Sequence, residues 1–103
     1  MNRDEILARL QEIKPKYEED GVVICGIFGS FARGDDNAMS DIDIAYKLDE
    51  KLFFSKYNGF SGATRLAQVA TELEKEFQKK VDFVSINSIN QELNRAIHKD
   101  LIV

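Results

Sequence analysis

The stretch Gly29-Ser30-Phe31-Ala32-Arg33-Gly34, followed five residues later by Ser40-Asp41-Ile42-Asp43-Ile44, decides the fold of this 103-residue chain. The apolar run that precedes it, Val22 to Phe28, is typical of a central strand covered on both faces. The alternation that follows it predicts a second strand with the carboxylates of Asp41 and Asp43 on one face. The sequence therefore predicts two strands joined by a glycine-rich turn.

The turn between the two strands has features that are typical of a phosphate-binding site. A strand that runs into Gly29 and Ser30 and then into a helical turn leaves free backbone N–H groups at a helix N-terminus, which attract phosphate. Gly29 lets the backbone approach a ligand closely because it has no β carbon. Arg33 can neutralise phosphate or support the loop through carboxylates.

Three aspartates indicate a metal site beside that turn. Two carboxylates on one strand face repel each other, and a divalent cation relieves the repulsion; their oxygen ligands favour Mg²⁺ or Mn²⁺ over zinc. Asp82 stands in the apolar run Val81 to Val84, where an acid is out of character without a partner. With Asp82 as the third ligand, two ions could clamp the attacking and leaving oxygens, and pyrophosphate would leave.

Each element of this pattern has an ordinary structural explanation when taken alone. Asp41 and Asp43 could lie at a solvated strand end, and Asp82 could be an edge or capping acid. The combination of turn, arginine, fixed gap, paired aspartates and later strand aspartate makes the functional interpretation the stronger one.

The rest of the chain predicts helices around these strands. Asn2 and Glu5 resemble a capping box, and Pro15 is expected to end the first helix near Lys14 or to start a new turn. A second helix is predicted after Gly62 with Glu72 facing water, and Ser88 with Gln91 resembles another capping box before the last helix. The apolar positions that predict the three helices are Ile6, Leu10, Ile13 and Tyr17; Ala63, Leu66, Ala70, Leu73 and Phe77; and Ile89, Leu93 and Ile97.

The order helix, strand, strand, helix, strand, helix predicts an α+β fold, a two-layer α/β arrangement in which the helices pack mainly on one face of a small mixed sheet. We expect one domain over residues 1–103. A formal net charge of −4 disfavours direct binding of nucleic acid. The single cysteine, Cys25, indicates a reducing cytoplasm, and neither a signal peptide nor a membrane span is expected.

At these residues the chain resembles the minimal nucleotidyltransferases (MNT proteins) of the DNA polymerase beta-like superfamily. Their G-S-x-A-R-G turn, S-D-x-D pair and later strand acid match Gly29 to Gly34, Ser40 to Asp43, and Asp82. The resemblance implies that Gly29 and Ser30 bind the β and γ phosphates of ATP, that Asp41 and Asp43 hold two Mg²⁺ ions, and that Asp82 holds the catalytic ion and helps to activate the acceptor. We therefore predict catalytic and metal-binding roles for the three aspartates and phosphate-binding roles for Gly29, Ser30, Arg33 and Ser40.

The same resemblance implies a partner. Many MNT proteins are antitoxins paired with a HEPN-domain ribonuclease toxin, and some transfer AMP from ATP onto a toxin tyrosine. The short chain leaves no room for an acceptor-binding domain, so we expect the acceptor to come from a hetero-oligomeric partner. Two alternatives stay open: an antitoxin that inhibits by contact alone, and a small-molecule nucleotidyltransferase.

Three features lie outside this pattern. The aromatic segment Leu52 to Phe60 is either local core or a surface for a partner or base, and core is favoured. The apolar end Leu101 to Val103 is either a last strand or a contact with a second chain. His98 is predicted to be a surface residue, and Cys25 a buried thiol in the first strand.

Overall fold

A computed structural model describes residues 1–86 and 90–103. The elements are α1 (Arg3–Glu18), β1 (Val22–Phe28), α2 (Gly29–Arg33), β2 (Ile42–Leu48), α3 (Glu50–Lys56), α4 (Phe60–Phe77), β3 (Val81–Ser85) and α5 (Gln91–Asp100). The Asn2 side chain accepts a hydrogen bond from the Glu5 amide, and the Glu5 side chain accepts from the Asn2 amide, which confirms the predicted capping box.

The predicted capping box at the last helix cannot be compared, because Ser88 lies outside the described residues, as does Ile89 of its apolar face. Among the residues described there, Asn90 caps α5, and its side chain accepts a hydrogen bond from the Leu93 amide at 3.1 Å. A short polar side chain at this position satisfies one of the free amides of the first turn.

The sheet is small and mixed, as predicted. Its order is β1-β2-β3, with β1 and β2 antiparallel and β2 and β3 parallel. The prediction that β1 is the central strand is wrong: β2 is central. The run of apolar residues in β1 is explained by the helices that cover both of its faces. The free edge of β1 is also covered, because Ile102 pairs with Ile27 there. The terminal apolar segment is thus paired with β1.

The helices pack mainly on one face of the sheet, which confirms the predicted fold class. The larger apolar cluster joins that face to α1, α2, α3 and α4, through residues that include Leu10, Ile24, Ile44, Phe53 and Leu73. A smaller cluster on the opposite face joins Phe28 and Ala45 to Ile97 of α5. Because side chains alternate along β2, Asp43 projects on the same face as Ala45 and therefore on the α5 side.

The prediction that Pro15 ends α1 near Lys14 or starts a new turn is wrong, because the helix continues through it to Glu18. Tertiary contacts stabilise the last turn: Tyr17 is buried, and its hydroxyl donates a hydrogen bond to Glu72 at 2.9 Å. Glu72 faces water only in part, because its side chain is 38% exposed and also accepts from Arg65 at 3.1 Å. Burial of the Tyr17 side chain in the core, together with its hydrogen bond to Glu72, offsets the backbone hydrogen bond lost at the proline.

The aromatic segment divides between core and surface. Phe53 of α3 is buried and packs tilted against Tyr57, with ring centroids 5.2 Å apart, whereas Phe60 is 94% exposed. No pattern in the sequence predicts the helix α3. His98 is exposed, as predicted, and Cys25 is half-buried in β1, where burial raises the pKa of its thiol.

Among the described residues, no helix is both long enough and apolar enough to cross a membrane.

Candidate functional site

The strand register brings the predicted acids together. Asp43 of β2 is the register partner of Phe28 at the end of β1 and of Asp82 in β3. Asp41 directly precedes β2, two residues before Asp43. In a parallel pair of strands, the side chains of register partners project from the same face of the sheet, so Asp43 and Asp82 lie side by side. The site therefore forms where β1 ends, β2 begins and β3 begins.

Gly29 lies directly against this acid cluster. Its φ is +75°, a left-handed conformation that favours glycine, and a β carbon built there would overlap Asp43 Oδ2 and stand 3.0 Å from Asp43 Cγ. The helix α2 begins at Gly29, and no side chain caps its N-terminus. The turn and the carboxylate are thus in contact.

The electrostatics of the cluster leave Asp43 short of positive charge. Burial, followed by the negative charges of Asp82 and Asp41, raises the pKa of Asp43 to about 6, and the charge of Arg33 opposes this rise only in part. None of the ion pairs formed within the described chain includes Asp41, Asp43 or Asp82. A cation placed here would be favoured.

The donor chemistry of the cluster fits a hard divalent ion such as Mg²⁺, because all of its ligands would be carboxylate oxygens. Over residues 1–86 and 90–103, however, no three His, Cys, Asp or Glu side chains are already arranged to hold a metal ion. Asp82 is exposed, and its side chain already lies within hydrogen-bonding reach of Asp43. The donor set therefore fits such an ion in its chemistry, although the three carboxylates are not arranged as a finished site.

The Arg33 side chain is bonded to carboxylates. Of the two roles that the sequence left open for it, neutralising phosphate or supporting the loop, the structure shows the second. Its Nε donates to Asp35 at 3.1 Å and its Nη1 donates to Asp100 at 2.8 Å. Within the part of the chain that is described, its Nη2 has no acceptor. Arg33 thus supports the loop while its positive charge remains near Asp43.

Ser30 and Ser40 contribute chiefly to the local backbone. The Ser30 carbonyl accepts from the amides of Gly34 and Asp35 at 2.9 and 3.0 Å, and its hydroxyl lies at the first turn of α2. The Ser40 hydroxyl accepts from the Asn37 amide at 2.9 Å and closes the turn before Asp41. Ser40 therefore shapes the loop that delivers the aspartates.

Two residues that help to build the site carry no signal in the sequence. Asp100 meets Arg33 from 67 positions away, and Lys79 donates to the Ala38 carbonyl at 3.1 Å from the end of α4. The Lys79 ammonium also lies 5.9 Å from the centre of the Phe31 ring. No motif links such distant positions, and only the fold could reveal them.

The fold and the clustered aspartates beside a glycine turn define a nucleotidyltransferase-type domain. The chain belongs to the family described as "Polymerase beta, Nucleotidyltransferase", whose model matches residues 10–103. This places it in a class of enzymes that transfer nucleotides, as the resemblance predicted.

Its relatives include three proteins of Methanocaldococcus jannaschii, each named a "Putative protein adenylyltransferase". MJ1379 is 37% identical over 95% of this chain and 90% of its own length. MJ0126 is 32% identical over 89% of this chain and 83% of its own length. MJ0435 is 31% identical over 99% of this chain and 97% of its own length.

Two solved structures share the fold. One, described as "Structure of putative minimal nucleotidyltransferase", has a TM-score of 0.73 and 23% identity over 100% of this chain and 96% of that one. The other, described as "Crystal structure of the toxin-antitoxin with AMP-PNP", has a TM-score of 0.62 and 22% identity over 97% of this chain and 69% of that one.

Proposed function

We propose that the protein transfers AMP from ATP, with Mg²⁺, to a tyrosine hydroxyl of a partner protein, and that it is the antitoxin of a HEPN/MNT toxin–antitoxin pair. One observation carries the catalytic part of this proposal. The Asp43 carboxylate packs against Gly29, at the start of a helix without a side-chain cap, and beside Asp82. This contact supports a phosphate site at Gly29 that adjoins a metal site at Asp43.

The reaction joins the acceptor oxygen to the α phosphorus of ATP and breaks the bond between that phosphorus and the oxygen leading to the β phosphate. Pyrophosphate leaves with the electron pair. Asp82 is exposed and could therefore meet a hydroxyl that arrives from outside the chain, and it would help to take up the proton. Backbone amides at Gly29 and Ser30 would hold the β and γ phosphates.

Asp41, Asp43 and Asp82 would hold two Mg²⁺ ions, for which Mn²⁺ could substitute. When bound, the ions supply positive charge to the triphosphate and to the developing oxyanions. Arg33 would add the charge of its Nη2, the guanidinium nitrogen without an acceptor in the described part of the chain, near the same phosphates. Ser40 would act by shaping the loop before Asp41.

The choice of AMP and of a protein acceptor is supported by the relatives. Three proteins at 31% to 37% identity carry the name protein adenylyltransferase. A toxin–antitoxin structure that has the same fold was solved with AMP-PNP. A HEPN-type toxin as the partner is what the family resemblance implies, and the single cysteine, Cys25, favours the cytoplasm as the compartment. The net charge of −4 favours a protein acceptor over RNA.

A second candidate function is an antitoxin that inhibits its toxin by contact without transfer. The exposed Phe60 and Phe54 offer apolar surface for such a contact. The acid cluster favours the enzyme, because a purely binding protein has no use for carboxylates left short of counter-charge. A small-molecule acceptor is a further alternative within the enzyme class.

The experiment that tests transfer incubates the protein, Mg²⁺ and a lysate of its host with ATP labelled at either the α or the γ phosphate. Nucleotide transfer predicts a labelled protein band that is absent from the lysate alone, that carries the α label and lacks the γ label, and that the Asp41→Asn variant does not produce. A band that gains the γ label only when the protein is added would indicate phosphoryl transfer. Binding of the partner without either label would favour inhibition by contact.

A further inference from the structure

Arg33, the last residue of α2, is tied to the far end of the chain. Its guanidinium donates to Asp100, which is the last residue of α5, at 2.8 Å. The Asp100 side chain is only 13% exposed, whereas that of Asp35, the other partner of Arg33, is 62% exposed. Asp100 is thus the partner better shielded from water, which screens exposed pairs strongly.

The residues just after Asp100 hold the strand that leads into the same turn. Ile102 and Ile27 exchange two backbone hydrogen bonds, each 2.9 Å long. Gly26 makes room for this pairing, because a β carbon there would collide with the Ile102 carbonyl. Phe28 and Leu101 pack in the same apolar cluster. The segment 100–102 therefore contacts both sides of the turn at Gly29.

Other contacts also hold α2: Phe31 and Ala32 are buried in the core, and Arg3 of α1 donates to the Ala32 carbonyl at 3.0 Å. The helix α2 spans only five residues, and its N-terminus has no side-chain cap. Asp35 is two residues from Arg33 on the same loop, so a pair between them cannot anchor α2 to the rest of the fold. Asp100 is the side-chain partner that ties Arg33, at the C-terminal end of α2, to α5.

We propose that Asp100 is a positioning residue for nucleotide binding, which acts by fixing Arg33 and with it the short helix whose first residues contact the phosphates. The backbone pairing of Ile102 with Ile27 fixes the end of β1, on the other side of the turn. This inference rests on the proposed function for the identity of the nucleotide. The restraint that Asp100 places on α2 can, however, be measured without any nucleotide.

The test compares Asp100→Asn with Asp36→Asn, which removes the same charge from an exposed residue that has no partner in the described part of the chain. Hydrogen exchange of the Gly34 and Asp35 amides reports on α2, because both donate to the Ser30 carbonyl. Titration calorimetry gives the Kd for ATP with Mg²⁺, and a melting curve gives the overall stability.

Asp100→Asn is expected to speed exchange at those two amides and to weaken ATP binding by about fivefold, while Asp36→Asn changes neither. Asp100→Glu is expected to recover most of the ATP affinity. If Asp100→Asn lowers the melting temperature but matches Asp36→Asn in exchange and in Kd, the positioning role is overturned. If the unaltered protein binds no ATP, the proposed function fails and the link to nucleotide is overturned with it.

Discussion

The bare backbone of Gly29 allows the Asp43 carboxylate to lie against the turn between β1 and α2. A β carbon at residue 29 would overlap Oδ2 of Asp43, and the φ of +75° would strain any other residue. One contact thus joins the proposed phosphate site to the proposed metal site. Any side chain at position 29 would separate them.

Replacing Gly29 with alanine is expected to lower both stability and transfer. The left-handed backbone conformation costs on the order of 1–3 kcal/mol, and the collision with Asp43 adds to this. The melting temperature measures the first effect, and labelling from α-labelled ATP measures the second.

Gly34→Ala is the matched control, because its φ of +81° is similar but, apart from its chain neighbours, nothing in the described part of the chain lies within 4 Å of a β carbon built there. It should share the backbone cost and should keep more of the transfer activity than Gly29→Ala. Equal transfer by the two variants would show that the contact with Asp43 is unimportant.

Mg²⁺ and ATP together are expected to raise the melting temperature. Ligand at about 100 times its Kd adds roughly 2.7 kcal/mol, and each kcal/mol raises the melting temperature of a domain this size by about 4–8 °C. Asp43→Asn should lose most of this increase, because it removes the carboxylate between Asp41 and Asp82. An unchanged melting curve for the unaltered protein at millimolar Mg²⁺ and ATP would count against the site.

Asp82→Asn is expected to reduce transfer by about 10²-fold or more while the fold is kept. Asp82 is exposed, so the amide costs little packing. Initial rates with saturating ATP measure the loss, and a melting curve checks the fold. Asp35→Asn, which removes one exposed carboxylate near the same loop, is the comparison. Near-normal transfer by Asp82→Asn would remove it from the catalytic set.

A partly buried ion-pair network is expected to make stability sensitive to acid. Burial acts against ionisation of Asp20, but hydrogen bonds from Arg65 and Lys56 outweigh it and hold its pKa below the ordinary 3.8. Burial likewise opposes ionisation of Glu72, and bonds from Tyr17 and Arg65 hold its pKa below the ordinary 4.5. These carboxylates stabilise the fold above their ordinary pKa values, and the contribution is lost as pH falls below them.

Removal of Arg65 tests this network. Arg65→Gln should lower stability at pH 7 by roughly 1–3 kcal/mol, because charge-assisted hydrogen bonds to Asp20 and Glu72 are lost. The variant should also lose less stability than the unaltered protein between pH 6 and about pH 3, as measured by melting curves. Lys75→Gln, an exposed charge of the same helix, is the control. Identical pH slopes in all three proteins would contradict the assignment.

The sequence was informative where residue type and local spacing set the structure. The alternation around Asp43 predicted β2, and an acid within an apolar run singled out Asp82 in β3. Their common site was predicted from the chemistry of the three carboxylates and from the family pattern, whereas the strand pairing that unites them is a long-range property that only the structure shows. The Asn2 cap was predictable for the opposite reason, since its partner is three residues away.

The sequence was misleading where distant contacts override local preference. Pro15 should interrupt a helix, yet α1 continues through it to Glu18, where the buried Tyr17 holds the last turn against the core. The apolar run of β1 is typical of a central strand, but helices cover both faces of what is the outer strand. Asp100 could not be linked to Arg33 by any spacing rule.

The most direct test of the central claim is the intact mass of a co-expressed partner protein after incubation with this protein, ATP and Mg²⁺. The account predicts that the partner gains the mass of one or more AMP groups, mapped to a tyrosine, and gains nothing with Asp41→Asn. If the partner binds both the unaltered protein and the Asp41→Asn variant and its mass does not change with either, protein adenylylation is contradicted and inhibition by contact is favoured.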